Sequence, residues 1–255
     1  MNTPPTFTLV VFTWNEIESV RVIMPQVDRS LFTQILIVDA RSTDGTVEWC
    51  REQGFEVFQQ TSHGLREAYQ EALSHVRGDY MIAFSPDGNS LVERLAPLIA
   101  KLKEGYDMVV VSRYLGAAKS EDDDWVTSFG NWFFTRFLNL LHGGHFTDVM
   151  IMYRGFRTNL MRELKVDRWD DPVIKWPAII FAARMGIEPL MSARASRAGY
   201  RVGEIPGDEP KRIGGERKLK VLRWGSAVLL QLIMEFFMPR KRYRRATTAP
   251  RQPSA

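Results

Sequence analysis

The sequence predicts an α/β fold: a Rossmann-like, mostly parallel sheet flanked by helices, followed by an amphipathic helix near the C-terminal end. Three observations carry this. Short apolar runs rich in β-branched residues recur along the first half, as in strands covered on both faces. Helix-patterned stretches separate them, so consecutive runs join by right-handed crossovers into a parallel sheet. Each run also ends in polar residues, at the edge where open α/β sheets bind their ligands.

The first strand is predicted over 7–12. No basic residue precedes it and Asn15-Glu16 follow it directly, so it reads as a buried strand and not as a signal peptide. Residues 35–38, 56–58, 80–84 and 108–111 supply the next four strands, and helices are predicted over 18–27, 45–53, 64–76 and 91–103. Farther along, 131–141 is an aromatic-rich helix whose Phe133, Phe134, Phe137 and Leu141 fall at core spacing, and 177–185 is another helix. Residues 224–238 are apolar apart from Gln231 and Glu235. That stretch is shorter than the roughly 20 residues of a membrane span. It runs into Arg240-Lys241-Arg242-Tyr243-Arg244-Arg245, the pattern of an interfacial helix with a polybasic flank. The expected organisation is a main domain over 1–220, a membrane-surface helix with its basic flank over 221–245, and a disordered tail over 246–255.

Composition removes several classes. With 45% apolar and 25% charged residues in 255 positions, the chain is an ordinary folded protein of one large domain plus an appendage. One cysteine, Cys50, excludes an internal disulfide and a Cys-based metal site, favours a reducing cytoplasmic location, and reads as a core residue on a helix face. The net charge of +4 is uneven: from Pro206 onward twelve Lys/Arg face four acidic residues, a net +8 that leaves −4 on the rest. A basic end on an acidic body suggests contact with phosphate.

Motifs remove more. There is no Gly-x-Gly-x-x-Gly after the first strand, no P-loop and no Gly-x-Ser-x-Gly elbow, and His63, His75, His142 and His145 lack metal-ligand spacing. Oxygen-bearing side chains at strand ends remain. Asp87 and Asn89, near Ser85, occupy a Pro/Gly turn after a buried strand, where hard oxygens could hold Mg²⁺ or Mn²⁺ against a diphosphate. The same tetrapeptide also makes a good plain β-turn. Asp39 ends the second strand and Glu16 follows the first, both placed to accept hydrogen bonds from a base or ribose, while Asp44 reads as the cap of the following helix.

Together these pieces resemble a known family. Val11-Phe12-Thr13-Trp14-Asn15-Glu16, Val38-Asp39-Ala40-Arg41-Ser42-Thr43-Asp44-Gly45-Thr46, the segment from Gly78-Asp79-Tyr80 to Asp87, and Ser112-Arg113-Tyr114 fall in the order of the family-2 glycosyltransferases. Phe146-Thr147-Asp148-Val149 to Tyr153-Arg154, and Gly203-Glu204-Ile205-Pro206 followed by Arg212-Ile213-Gly214-Gly215-Glu216-Arg217-Lys218-Leu219, look like the dolichol- or polyprenyl-phosphate mannose synthase branch. The resemblance spans about residues 7 to 220.

It implies a GT-A fold and an inverting transfer of a hexose from a GDP- or UDP-linked donor to a polyprenyl phosphate or another membrane-presented acceptor. Carried over by position, Glu16 and Asp39 would hold the nucleoside. Asp87 would be the last acidic position of the metal-binding DxD, with Asn89 as a further metal or phosphate ligand. Arg113 would close the sugar side, and Arg212 and Lys218 would face the diphosphate or acceptor phosphate. The chain departs from the pattern at Ser85 (the first DxD aspartate), Ala40 and Arg41 (aspartate and glycine of the usual Asp-Asp-Gly-Ser) and Phe12 (a proline). Losing a carboxylate weakens a Mg²⁺ or Mn²⁺ site, although such metals are often held by one or two carboxylates plus substrate phosphates. Lys119-Ser120-Glu121-Asp122-Asp123-Asp124-Trp125 reads first as a solvated acidic loop; the sharper alternative makes one carboxylate a general base or an extra metal ligand.

The expected protein is therefore a cytoplasmic enzyme, peripheral on the cytoplasmic face of a membrane through residues 224–245, with no nucleic acid as partner. The alternative is a glycosyltransferase-like module that binds a nucleotide sugar or a partner without turnover, which Ser85 and Ala40 motivate.

Overall fold

The computed structural model describes residues 3–213 and 221–243. All five expected strands form: β1 (Phe7–Thr13), β2 (Gln34–Asp39), β3 (Glu56–Gln59), β4 (Tyr80–Phe84) and β5 (Met108–Ser112). Two more, β6 (Arg154–Arg157) and β7 (Val202–Pro206), complete a seven-stranded sheet of order β3-β2-β1-β4-β6-β5-β7. All neighbours are parallel except β6, which runs antiparallel to β4 and β5.

The first four helices are α1 (Ile17–Ile23), α2 (Thr46–Glu52), α3 (Leu65–Ala72) and α4 (Leu95–Lys103). After β5 come α5 (Trp125–His142), α6 (Leu160–Glu163), α7 (Pro172–Ile180), α8 (Glu188–Ala198) and α9 (Val221–Phe236). Successive residues of β1 serve two cores: Leu9 and Val11 pack with Val20, Cys50 and Leu98 on one face, Val10 and Phe12 with Tyr69 and Met81 on the other. A strand buried at every position, apolar except for Thr8 and Thr13, is what a sheet covered on both faces requires.

Three differences from the sequence reading have physical causes. β6 escaped notice because it is short and carries two arginines. Arg154 is fully buried all the same, its guanidinium donating to the carbonyls of Val149, Ile151 and Glu188 and to Ser192 Oγ. At Gly155 a Cβ would lie 2.6 Å from Leu102 Cδ1, so glycine lets α4 close on this strand. α5 begins six residues before the predicted start because Asp124 caps it, accepting a 2.8 Å bond from the Thr127 N–H.

The third difference concerns the C-terminal helix, expected at a membrane surface. Its Ala227, Val228 and Leu232 are buried in the core with α7 and α8. The two polar interruptions explain the docking. α7 starts earlier than predicted, with Asp171 as cap and Pro172 first, so Pro177 falls inside it. A proline at that position donates nothing to the carbonyl four residues back. That carbonyl, of Val173, accepts instead from Gln231 Nε2 of α9 at 3.2 Å. Glu235 accepts from Arg194 Nε at 2.8 Å and from the Tyr243 hydroxyl at 3.1 Å, with Arg194 also bonded to Asp171. One face of α9 is thus packed on its own protein, while Leu222, Ile233 and Phe236 of the same helix stay exposed. The expected tail over 246–255, and Arg244 and Arg245 of the basic flank, lie outside the described residues.

Candidate active site

A cleft of about 680 Å³ opens at the carboxyl ends of β1, β2 and β4. Its walls include Glu16, Arg41, Gln60, His63, Ser85, Asp87 and Arg212. Two loops form its floor and are stitched together. Asn15, in a left-handed conformation at φ 54°, donates its N–H to Ser42 Oγ at 2.7 Å, and its side-chain oxygen accepts from the Thr43 N–H at 2.9 Å. Asp44, expected as a helix cap, accepts from the N–H and hydroxyl of Thr46, the first residue of α2, and also from the Ile17 N–H, joining α1 to the start of α2.

Glu16 stands in the cleft wall. Asp39 does not: it is fully buried beneath the floor, and its oxygens accept from Ser42 N–H at 2.8 Å, Ser42 Oγ at 2.5 Å and Thr13 Oγ1 at 3.0 Å. Arg41, also at positive φ (64°), donates to the carbonyls of Gln60 and Thr61 and so holds the β3 end of the cleft.

At the other end, the turn after β4 carries Asp87, Gly88 and Asn89. Gly88 has φ +90°, and a Cβ there would lie 2.9 Å from Ile213. Glycine therefore lets the segment 211–213 dock on the turn, with the Ile213 N–H donating to the Asp87 carbonyl at 2.7 Å. This brings Arg212 to the cleft, where Asp87 and Glu16 both act on it electrostatically. Burial pulls the Arg212 pKa down, but Asp122 and these carboxylates outweigh it and hold it above its ordinary value. Asn89 donates its Nδ2 to Asp122 at 3.1 Å, and its Oδ1 is buried with no hydrogen-bond partner among the described residues. Asp122, from the acidic loop, was not singled out individually by sequence reasoning, and a run of charges gives no local signal for it. Lys218 lies outside the described residues.

Arg113 is an ionic hub in the wall of a second, smaller cavity. Its guanidinium pairs with Asp148 at 2.7 Å, Glu209 at 3.0 Å and Asp123 at 3.3 Å, and its side chain is 8% exposed. Burial alone lowers its pKa, yet the three carboxylates carry it well above the ordinary value. The chain of support continues: Glu204 on β7 accepts from the N–H groups of Thr147 and Asp148, fixing the turn that presents Asp148. Burial raises the Glu204 pKa above its ordinary value, and those hydrogen bonds offset the rise only in part. The motif residues Thr147, Asp148 and Glu204 thus build the frame on which the acidic loop is mounted.

That second cavity, of about 260 Å³, adjoins the first, and Leu65, Met152 and Trp224 belong to the walls of both. Among the described residues no group of three or more His, Cys, Asp or Glu is arranged to hold a metal ion, and no helix is long and apolar enough to cross a membrane.

Comparison with known proteins agrees with this architecture. Residues 8–164, more than half of the chain, match the model of glycosyl transferase family 2. The chain is 26% identical over 250 residues to glycosyltransferase AglJ of Haloferax volcanii, covering 97% of this chain and 74% of that protein. It is 27% identical over 240 residues to the undecaprenyl-phosphate mannosyltransferase of Micrococcus luteus, covering 86% and 93%. Among solved structures, glucosyl-3-phosphoglycerate synthase from Mycobacterium tuberculosis, in complex with Mn²⁺, UDP and phosphoglyceric acid, matches with a TM-score of 0.64 at 20% identity over 92% of this chain and 80% of that one. Mannosyl-3-phosphoglycerate synthase from Rubrobacter xylanophilus matches with a TM-score of 0.61 at 19% identity, covering 98% and 79%. The fold is therefore GT-A, and the chain is a glycosyltransferase belonging to family 2.

Proposed function

We propose that this enzyme transfers a hexose from a GDP- or UDP-linked donor to a polyprenyl phosphate presented at a membrane, with inversion at the anomeric carbon. The observation that carries the reading is that Asp87 and Arg212 share the wall of a cleft large enough for a nucleotide, with Asn89 two residues on in the same turn, in a chain resembling an undecaprenyl-phosphate mannosyltransferase.

Asp87 and Asn89 would hold Mg²⁺ or Mn²⁺: the Asn89 N–H is bonded to the Asp87 carboxylate, the Asn89 Oδ1 is buried without a partner among the described residues, and a hard cation held by few protein oxygens completes its shell with diphosphate oxygens and water. When bound, the metal neutralises charge on the leaving diphosphate. Arg212 adds fixed positive charge at the same end, and stabilising charge where it develops is usually the largest catalytic contribution. Lys218 is assigned the same task from the sequence motif. Glu16 borders the nucleoside part, while Asp39 acts from below by ordering Ser42 and the floor. Arg113 positions the acidic loop on the sugar side. A phosphate acceptor is already ionised and needs no general base.

The membrane partner has a surface to meet. Along one face of α5, Trp125, Phe129 and Trp132 are 81%, 53% and 55% exposed and stack on one another at 5.9 and 5.7 Å. Exposed aromatics of this kind suit the headgroup region of a bilayer. They would add to the surface that the sequence assigned to 224–245, where Ile233, Phe236 and Phe237 are also exposed.

The test is transfer itself. Purified enzyme with Mn²⁺, undecaprenyl phosphate in vesicles and radiolabelled UDP-glucose or GDP-mannose is expected to give a labelled lipid. Tight nucleotide-sugar binding without any product, across donors and prenyl phosphates, would convert the reading into that of a binding module.

A further inference from the structure

α7 is apolar on both of its sides. Val173, Ile174, Pro177 and Ala178 are buried, as the inner face of an amphipathic helix requires. The opposite side, where such a helix ordinarily carries charged and polar residues, presents Trp176, Ile179 and Ile180, which are 50%, 54% and 61% exposed. The face extends onto α9. Arg223 donates to the carbonyls of Phe181 and Ala182 at 3.1 and 2.7 Å, clamping the first turn of α9 to the end of α7, and its neighbour Leu222 is 86% exposed. A Cβ on Gly225 would lie 3.5 Å from Phe134, so the start of α9 also touches α5. Large apolar side chains left outward on two clamped segments mark a surface that meets a partner.

Charge decides which partner. Lys175, Arg184 and Arg223 are exposed, and neither 172–187 nor 221–234 contains an acidic residue. Of the acids just before α7, Asp170 is paired with Arg168 and Asp171 is buried. A second copy meeting this face about a two-fold axis sets the same cations against one another, with no carboxylate from these segments between them. An anionic bilayer matches both features: its headgroups attract Lys and Arg, and its acyl boundary takes up a tryptophan with aliphatic neighbours.

We propose that α7 and the first turn of α9 dock on an anionic bilayer. This deepens the reading of a membrane-presented acceptor and rests on it for the purpose of the contact, though not for the contact itself. Arg184 and Trp224, which adjoin the face along the chain, line the large cleft. Docking here turns that wall of the cleft toward the headgroups, where a lipid-linked phosphate lies, through an element separate from the aromatic stripe of α5.

Sedimentation with vesicles of phosphatidylcholine, alone or mixed with phosphatidylglycerol, tests the contact with neither donor nor acceptor present. The parent protein is expected to prefer the mixed vesicles and to release them as salt is raised. Changing Trp176, Ile179 and Ile180 together to serine is expected to weaken binding about tenfold or more. Lys175→Glu is expected to weaken it about fivefold or more on the mixed vesicles alone. A second readout is a polarity-sensitive fluorophore on Ile179→Cys; Cys50 is fully buried, and burial pushes its thiol up to about 12, so it does not compete for the label. The fluorophore is expected to shift to the blue on vesicles and to be quenched by a lipid-borne quencher. The triple variant is also expected to lose transfer to undecaprenyl phosphate in vesicles while keeping transfer to a water-soluble short-chain prenyl phosphate. Unchanged vesicle binding by the triple variant, a fluorophore that stays in water on the bound protein, or equal loss with both acceptors overturns the proposal. So does a parent dimer, seen in analytical ultracentrifugation, that the triple variant dissociates, because the face then belongs to a second copy. A parent protein that docks through this face yet transfers sugar to neither acceptor brings down the reading of its function and leaves the docking surface standing.

Discussion

Asp122 and Arg212, 90 positions apart in the chain, form an ion pair of 3.0 Å at the rim of the cleft, and the same carboxylate oxygen accepts from Asn89 at 3.1 Å. The acidic loop is thereby tied to the turn that carries Asp87. With Asp87→Ala, transfer is expected to vanish together with the Mn²⁺-dependent part of UDP or GDP binding. Arg212→Met removes a charge-assisted contact worth about 1.5–3 kcal/mol and is expected to weaken nucleoside diphosphate binding by roughly 10- to 100-fold. Calorimetry with and without Mn²⁺ separates the two effects, and an Asp87→Ala protein that retains full activity removes the metal assignment.

Arg113 holds three buried carboxylates. Removing one partner of a buried ionic group costs about 3–5 kcal/mol, because the charges left behind stay desolvated. Arg113→Met is expected to lose stability of that order in urea unfolding, with Asp148→Asn close behind it. A loss below about 1 kcal/mol, the level of an exposed pair, would contradict the hub.

Gln231 and Pro177 form a pair that a double-mutant cycle can isolate. Gln231→Leu leaves the Val173 carbonyl without a donor and is expected to cost about 1–3 kcal/mol. In a Pro177→Ala background the helix supplies its own N–H to that carbonyl, so the cost of Gln231→Leu is expected to shrink. Additive losses would mean that the two residues act independently.

His142, buried between α5 and α9, carries a pH dependence. Burial first, then the nearby Arg197, lowers its pKa from 6.5 to about 4. Between those values the unfolded chain binds a proton that the folded protein refuses, so this contribution to stability is present above pH 6.5 and is lost as pH falls toward 4. The full effect is about 3 kcal/mol. In His142→Phe the acid limb of the stability curve over that window is expected to flatten; an unchanged slope would assign the acid sensitivity to other groups.

The exposed aromatics of α5 predict a separable defect. Changing Trp125, Phe129 and Trp132 together to serine removes side chains worth roughly 1.5–3 kcal/mol each when fully buried. Partitioning onto anionic phospholipid vesicles is expected to fall at least tenfold in sedimentation, with the melting temperature nearly unchanged because these residues are exposed. Retained binding would shift the membrane contact elsewhere.

The residues that the sequence assigned to the site divide according to how far their partners lie along the chain. Glu16 and Asp87 were legible as cleft residues, since strand ends and turn chemistry are local patterns, while Asn89 lies in the same turn outside the cleft lining. Asp39 was legible as a strand end, but its saturation by Thr13 and Ser42 depends on a loop folding back over it. Asp122 and Trp224 had no local signature, because each acquires its place in the cleft region only when distant segments pack.

The sequence by itself determined the parallel sheet, its alternation with helices and the edge at which ligands bind, because apolar periodicity and turn residues act over a few positions. Only the tertiary structure decided the antiparallel β6, the burial of Arg66, Arg154 and Arg194, and the docking of α9. A buried arginine is stabilised by carbonyls and carboxylates far away in sequence. An apolar helix face, moreover, looks the same whether it meets a bilayer or its own protein, until the donors and acceptors opposite Gln231 and Glu235 are in place.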